Sequence, residues 1–436
     1  APPPRRGFPL WEEVVPAGVL PPPRHTMTNL LRVLGPGARR AHDAYHRWLR
    51  SARWDPCALW AATVRHLVRT LQPDGLLKLI CDDSHLRKSG PKVEGAGSFR
   101  DPIRSTKRRI VYLFGLNVIA LCLRVQLPGL RQPVALPINL RVYRKRGPSH
   151  LDLVEAMLRQ VADWLPDRSF DLVGDGAYAA LAKRVLPRSE VVSRMRCDAA
   201  IYDLPPPRRP GQRGRPRKRG PRLPTPRQLA SQVRQWQRTK LLLRGRVVER
   251  LLYSRPVLWY GVCGPKPVLL VIVRDPAGKQ PDDFFFTTRL DADPATVVSD
   301  YAGRWAIEVA FRDTKQHLGA EHPQTWKLLG PERAAHLAFW MYTAIWTWYA
   351  LSYAHLPARP CDPWYRAKAA PSFADARAAL RTVLWQDRIS LGSMRHGLDP
   401  EIQGSALNRR SRSESEMGIY PQPSRQIEPG SMENWS

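Results

Sequence analysis

The sequence predicts a mixed α/β fold: a sheet flanked by helices, a helical region before it, and a β-rich insertion ahead of a late functional helix. Three observations carry this. Apolar, strand-like runs end in acids twice, at LLKLICDDSH (76–85) and SFDLVGDGAYAA (169–180). Segments of helical period lie between and after them, at 149–165 and 294–318. Several strand-like runs crowd the interval 240–290, immediately before the second helix.

In chain order, residues 1–28 are Pro-rich and expected to be poorly ordered. Residues 29–74 carry two or three helices, with apolar positions at Leu30, Leu31, Leu34, Tyr45, Trp48, Leu49, Leu59, Val64 and Leu67. They read equally well as a small DNA-binding domain or as a lead-in to the main fold. Residues 75–195 form the first part of the core. Its first strand ends in acids, and the polar loop KSGPKVEGAGS follows. Strands within 109–126 and 132–143 then suggest an antiparallel meander. Ser149 is placed to cap the next helix, and the strand ending at Asp175 is followed by another at VVSRM.

Residues 196–290 form the insertion. It opens with RRPGQRGRPRKRGPRLPTPR (208–227), a Pro/Gly/Arg loop that cannot build a packed core, and continues with four or five strands. Residues 291–390 begin with Asp293 as N-cap and Pro294 in the first turn, with Gly319 as the stop, so one helix is expected over 294–318. Further helices are expected at 334–356 and 374–385, and 391–436 reads as a polar, disordered tail.

Charge narrows the function. The 436 residues hold 69 Lys and Arg against 38 Asp and Glu, a net charge of +31, and Arg outnumbers Lys. Planar guanidinium groups favour bidentate phosphate contacts, which points to nucleic acid. A membrane surface is the competing polyanion, but the cations do not flank a single amphipathic helix. The apolar stretch 334–356 contains two histidines and many small or polar residues, so a buried helix is expected instead of a membrane span. Six cysteines without Cys-x-x-Cys pairing argue against a zinc ribbon or disulfide framework and suit a reducing cytoplasm. No secretion signal is read at the N-terminus, and the missing initiator Met suggests a trimmed chain.

The segment YAGRWAIEVAFRDTK (301–315) sets Tyr301, Arg304, Glu308 and Lys315 at offsets of three, seven and fourteen. On one continuous helix these fall within an arc of roughly 60°. Two readings stand. Arg304 with Glu308, and Glu308 with Arg312, are ordinary i,i+4 ion pairs of a solvated helix. Alternatively the face is catalytic, and Glu308 joins the strand-terminal acids Asp82 and Asp175. Carboxylates without His or Cys suit hard cations such as Mg²⁺. Two such ions, about 4 Å apart, serve an in-line displacement at a phosphodiester. Side chains alternate along a strand, so only one of Asp82 and Asp83 can face such a site.

The spacing Tyr-x2-Arg-x3-Glu-x6-Lys resembles the signature of bacterial insertion-sequence transposases with a ribonuclease-H-like DDE core. DDSH resembles the family's first-Asp motif and GDGAYA its second, so the resemblance spans roughly residues 75–345. It implies a ribonuclease-H-like mixed sheet interrupted by a β insertion. It implies Asp82, Asp175 and Glu308 as ligands of two Mg²⁺ ions, with Mn²⁺ as a substitute, and favours Asp82 over Asp83 because Asp82-Asp83-Ser84 fits the family's Asp-x-Ser/Thr frame. Tyr301, Arg304 and Lys315 would contact double-stranded DNA at the element ends. The implied reaction is cut-and-paste transposition by a homodimer: hydrolysis at the ends, attack by the freed 3′-hydroxyl, and usually a hairpin step. A bacterial, nucleoid-associated cytoplasmic protein is expected. A ribonuclease-H-like nuclease or resolvase without transposition, or a decayed copy kept as a DNA-binding protein, are the alternatives.

Arg213-Gly214-Arg215-Pro216-Arg217-Lys218 resembles an AT-hook, whose extended core enters the minor groove of A·T-rich DNA. A generic basic loop on the phosphate backbone fits the same residues. Trp259 or Tyr260 would either stack on a flipped base or fill a core.

Overall fold

The computed structural model describes residues 8–20, 24–35, 40–101, 104–207, 216–243, 245–352 and 370–396. Helices come first: α1 (Phe8–Val19), α2 (Met27–Leu34), α3 (His42–Ser51) and α4 (Pro56–Leu71). The Pro-rich opening is therefore not uniformly irregular. Val14, Ala17 and Val19 give α1 a buried face, and that apolar spacing outweighs its internal Pro16. Asp55 accepts a hydrogen bond from the Cys57 amide and Pro56 opens α4, an ordinary start signal.

The core begins with β1 (Leu77–Arg87), β2 (Gly97–Arg100), β3 (Tyr112–Val125) and β4 (Val134–Tyr143), followed by α5 (His150–Trp164), β5 (Phe170–Val173) and β6 (Ser189–Arg194). β1, β3 and β4 form the expected antiparallel meander. Ser149 and Asp152 cap α5 reciprocally. α5 carries the chain from β4 to β5, and this crossover lets β5 lie parallel to β1, with β6 parallel to β5 in turn. β3 reads as an almost unbroken apolar run because α5 packs on it and residues 116–123 are all buried.

The insertion contributes α6 (Pro226–Gln232), β7 (Gln237–Leu243), β8 (Arg246–Val257), α7 (Tyr260–Cys263), β9 (Val268–Arg274) and β10 (Asp283–Thr287). β10 pairs antiparallel with β6, so the insertion extends the core sheet. The result is one ten-stranded sheet in the order β2-β3-β1-β5-β6-β10-β9-β8-β7, with β4 on β3, a mixed and mainly antiparallel sheet flanked by helices as expected of a ribonuclease-H-like core. The described end of the basic loop, from residue 216, makes specific contacts. Tyr202 bridges to Arg222, the Arg219 guanidinium lies 4.3 Å from the Tyr202 ring, and Thr225 with Gln228 caps α6.

After the sheet come α8 (Pro294–Gly303), α9 (Trp305–His317), α10 (Gly330–Ser352) and α11 (Phe373–His396). α10 is buried along most of its length, as its apolar sequence predicts, and no helix among the described residues is long and apolar enough to cross a membrane. The N-terminal helices pack on α10 through tryptophans: the Trp11 ring is 4.9 Å from Trp340 and 6.1 Å from both Trp48 and Trp54. The chain divides into two units, Ala1–Leu380 and Arg381–Ser436, and of the second only the end of α11 is described. The first six residues of the expected tail, 391–396, continue α11 instead, and the rest of it, from 397 onward, lies outside the described residues.

One consequence of this packing is measurable. The Trp60 indole donates to Nδ1 of the buried His336 at 2.8 Å, and burial, reinforced by Arg141 and Arg333, lowers the His336 pKa to about 3. The imidazole is neutral in the fold but takes up a proton in the unfolded chain below about pH 6.5. Its contribution is therefore complete above pH 6.5 and lost as the pH falls toward 3. Denaturant titrations should show stability falling over that window, with a shallower fall in His336→Asn. An unchanged slope in the variant would contradict this assignment.

Candidate active site

β1 and β5 run side by side with Leu79 opposite Leu172 and Ile80 opposite Val173. Continuing this register by two residues brings Asp82 level with Asp175, at the carboxyl end of β5 where crevices open in sheets of this kind. β5 is followed by Gly174, whose amide still donates to the Val192 carbonyl at 3.1 Å and which sits where a side chain would not fit. A Cβ at Gly174 would lie 2.8 Å from Cβ of Tyr178 and 3.2 Å from Sγ of Cys81. Asp175 then caps the short 3₁₀ turn Gly176–Lys183, accepting from the Ala177 amide at 2.9 Å, while its carbonyl accepts from Ser193 Oγ at 2.7 Å.

β1 alternates as its sequence requires. Ile80 and Leu86 join the core cluster that holds Ile307 and Phe311 of α9, so Asp82 and Ser84 share the face toward that helix. Asp83 turns to the other face, where it accepts from Asn117 Nδ2 at 3.1 Å and from the Tyr178 hydroxyl at 3.3 Å.

The expected single helix over 294–318 is divided at Arg304. Asp293 and Pro294 start it as predicted, Asp293 accepting from the Thr296 amide. The break has a cause in the packing of β3 beside it. Arg124 donates to the carbonyls of Ser299 at 3.5 Å and Asp300 at 3.3 Å, which an unbroken helix would offer to later amides. A Cβ at Gly303 would sit 2.3 Å from Arg124 Nη1, so the absence of a side chain there leaves the guanidinium its observed approach. The Arg304 amide bonds back to the Tyr301 carbonyl at 3.0 Å instead.

The four spaced residues therefore separate. Tyr301 stays on α8 and packs on Phe285 of β10, ring centroids 4.5 Å apart. Arg304, at the break, places Nη1 2.5 Å from Asp82 Oδ2 and 3.3 Å from Glu308 Oε1. Lys315 donates to Ser84 Oγ at 2.8 Å. The charges of Asp175 and Glu308 reach Asp82. Burial raises the Asp82 pKa to about 7; the Arg304 cation opposes this, and the charges of Asp175 and Glu308 reinforce it. Among the described residues no three His, Cys, Asp or Glu side chains are gathered tightly enough to form a metal cluster, and Arg304 is the cation that bridges Asp82 and Glu308.

Beneath these acids runs a chain of ion pairs that sequence reasoning missed. Lys78 bonds Asp171 and Asp300 at 2.6 Å each, Arg124 bonds Asp300 at 2.6 Å, and Arg289 bonds Asp171 at 2.8 Å. The signal was present: Lys78 and Asp171 interrupt the apolar runs of β1 and β5, and a charge inside a buried strand needs a partner.

Of the proposed basic motif, Arg217 and Lys218 are exposed, while Arg213 and Arg215 lie outside the described residues. Trp259 is a core side chain, 6% exposed and edge-on to Phe286 at 5.5 Å.

Residues 14–249, more than half of the chain, match the family model described as DDE superfamily endonuclease. The chain belongs to this family. The DDE endonuclease match includes Asp82 and Asp175 and ends before Glu308, whose association with them rests on α9 and on the Arg304 bridge. No curated protein matches the chain.

Proposed function

We propose that this DDE endonuclease is a cut-and-paste transposase of the bacterial insertion-sequence type. The carrying observation is the Arg304 bridge, which joins Asp82 on β1 to Glu308 on α9 while Asp175 stands at the end of the neighbouring strand. In this reading Asp82, Asp175 and Glu308 hold two Mg²⁺ ions, replaceable by Mn²⁺. The residues suit that group. All three are hard oxygen donors, and burial, with Asp175 and Glu308 adding to it, disfavours the charged form of Asp82, a cost that a divalent cation would relieve. Bound there, the metal would activate the attacking oxygen and stabilise the departing 3′ oxygen.

The chain's own groups do the rest. Arg304 keeps Asp82 and Glu308 facing each other and offers its remaining donors to a phosphate. Lys315, anchored on Ser84, places an ammonium two residues beyond Asp82 along the strand, where the next phosphate would lie. Tyr301 lines the approach from the insertion. Arg213, Arg215, Arg217 and Lys218 would add sequence-tolerant contacts to double-stranded DNA. Two copies would act together, one at each element end, and the setting is the bacterial cytoplasm and nucleoid.

The test takes element ends from the DNA flanking the gene. A pre-cut end with a free 3′-hydroxyl, incubated with supercoiled plasmid and Mg²⁺, is expected to yield joined products. Hydrolysis without joining would reduce the activity to that of a nuclease or resolvase, and DNA binding without either would mark a decayed copy.

A further inference from the structure

The two segments that carry the acidic site leave it toward the same place. β1 runs past Asp82 and Ser84 to Arg87, and the chain after Lys315 turns at Gly319 (φ +56°) into residues 320–329. These segments are tied together. The Arg87 amide donates to Glu321 Oε1 at 2.9 Å, Lys88 Nζ donates to the carbonyls of Glu321 at 3.0 Å and Pro323 at 3.3 Å, and the Glu94 amide donates to the Trp326 carbonyl at 2.9 Å.

Between them lies a cleft of about 850 Å³ whose lining includes Arg24, Arg87, Lys88, Lys92, His322 and Trp326. Glu321 is its one acid. Arg24, Arg87 and Lys92 are exposed and make no ion pair among the described residues. Trp326 stands at the rim, 45% exposed, with Lys327 Nζ 4.5 Å from its ring centroid. Leu328 beside it holds φ at +52°, a costly conformation for a branched side chain, so the loop is fixed in a shape that its own sequence disfavours. Unpaired cations beside an exposed aromatic ring form the pairing that grips a single strand, phosphates on the charges and a base on the ring. The volume is on the scale of an ordinary ligand pocket, about 300–1,000 Å³, with room for a nucleotide or two and not for a duplex.

We propose that this cleft holds an unpaired stretch of one DNA strand beside the cut, with Arg87 and Lys92 on its phosphates and Trp326 against a base. Arg87 lies five residues past Asp82, on the order of 17 Å along β1, or about five base steps of duplex rise. The proposal rests on the DNA-cutting reading above.

Fluorescence anisotropy without divalent metal tests it, using end DNA that is fully paired or unpaired at about five bases on either side of the cut. The wild-type protein should bind one unpaired form about tenfold more tightly than the paired form. Trp326→Ala and the pair Arg87→Ala/Lys92→Ala should each remove that preference, Trp326→Phe should restore most of it, and affinity for paired DNA should change little. Equal binding of all forms by the wild type, or an unaltered preference in Trp326→Ala, would overturn the proposal. Because the readout is metal-free binding, absence of the preference in a wild-type protein that still cleaves overturns only the cleft. The preference without cleavage overturns only the catalytic reading.

Discussion

With Asp82 as a metal ligand in the proposed reading, Asp82→Asn is expected to lower DNA cleavage by roughly 10³-fold or more, since loss of such a ligand would remove several kcal/mol of transition-state stabilisation. DNA affinity should be retained. The carboxylate is buried, crowded by Asp175 and Glu308 and held by Arg304, so the amide removes a charge the fold tolerates poorly and frees a guanidinium for phosphate. Asp83→Asn is the informative control. Its carboxylate faces Asn117 and Tyr178 on the other side of β1, so cleavage should fall far less. Rates on plasmid DNA at saturating Mg²⁺, with anisotropy for binding, compare the two; equal losses would contradict the assignment of the strand's faces.

Asp300→Ala is expected to cost about 3–5 kcal/mol of folding stability, the usual result of removing one partner from a buried ion pair. Asp300 is 3% exposed and joins Lys78 to Arg124. Without it Lys78 keeps Asp171, but the Arg124 side chain, 17% exposed, retains among the described residues only carbonyl partners at the end of α8. The break at Arg304 depends on that same arginine, so cleavage should fall along with stability. Chemical denaturation of the metal-free protein measures the first effect. A loss below about 1 kcal/mol, typical of exposed pairs, would show the network to be peripheral.

Much of this arrangement was legible in the residues. Apolar runs leading into acids located β1 and β5, although β1 runs on through Asp82 and Asp83 to Arg87 instead of ending there, Ser149 and Asp293 marked helix starts, and the spacing around Glu308 singled out a helical stretch that divides into α8 and α9. What escaped were effects between distant segments. The break at Arg304 comes from Arg124, which lies 180 positions earlier (304 − 124) and reaches α8 only because the sheet brings β3 beside it. α1 was hidden by prolines because its helix depends on partners such as Trp48, Trp54 and Trp340. The insertion looked separate because β6–β10 pairing is invisible to local pattern. Tyr301, Arg304 and Glu308 were readable as a cluster, but the placement of Tyr301 on a separate helix was not, since it follows from the break at Arg304.

Metal-directed backbone scission tests the convergence of Asp82, Asp175 and Glu308 most directly. Fe²⁺ replaces Mg²⁺, ascorbate and peroxide generate radicals at the bound ion, and the fragments are mapped. Cuts near residues 82, 175 and 308 together, suppressed by excess Mg²⁺ and absent in Asp175→Ala, are the expected result. Scission near 82 and 175 that spares 308, or scission elsewhere, would contradict a shared metal site.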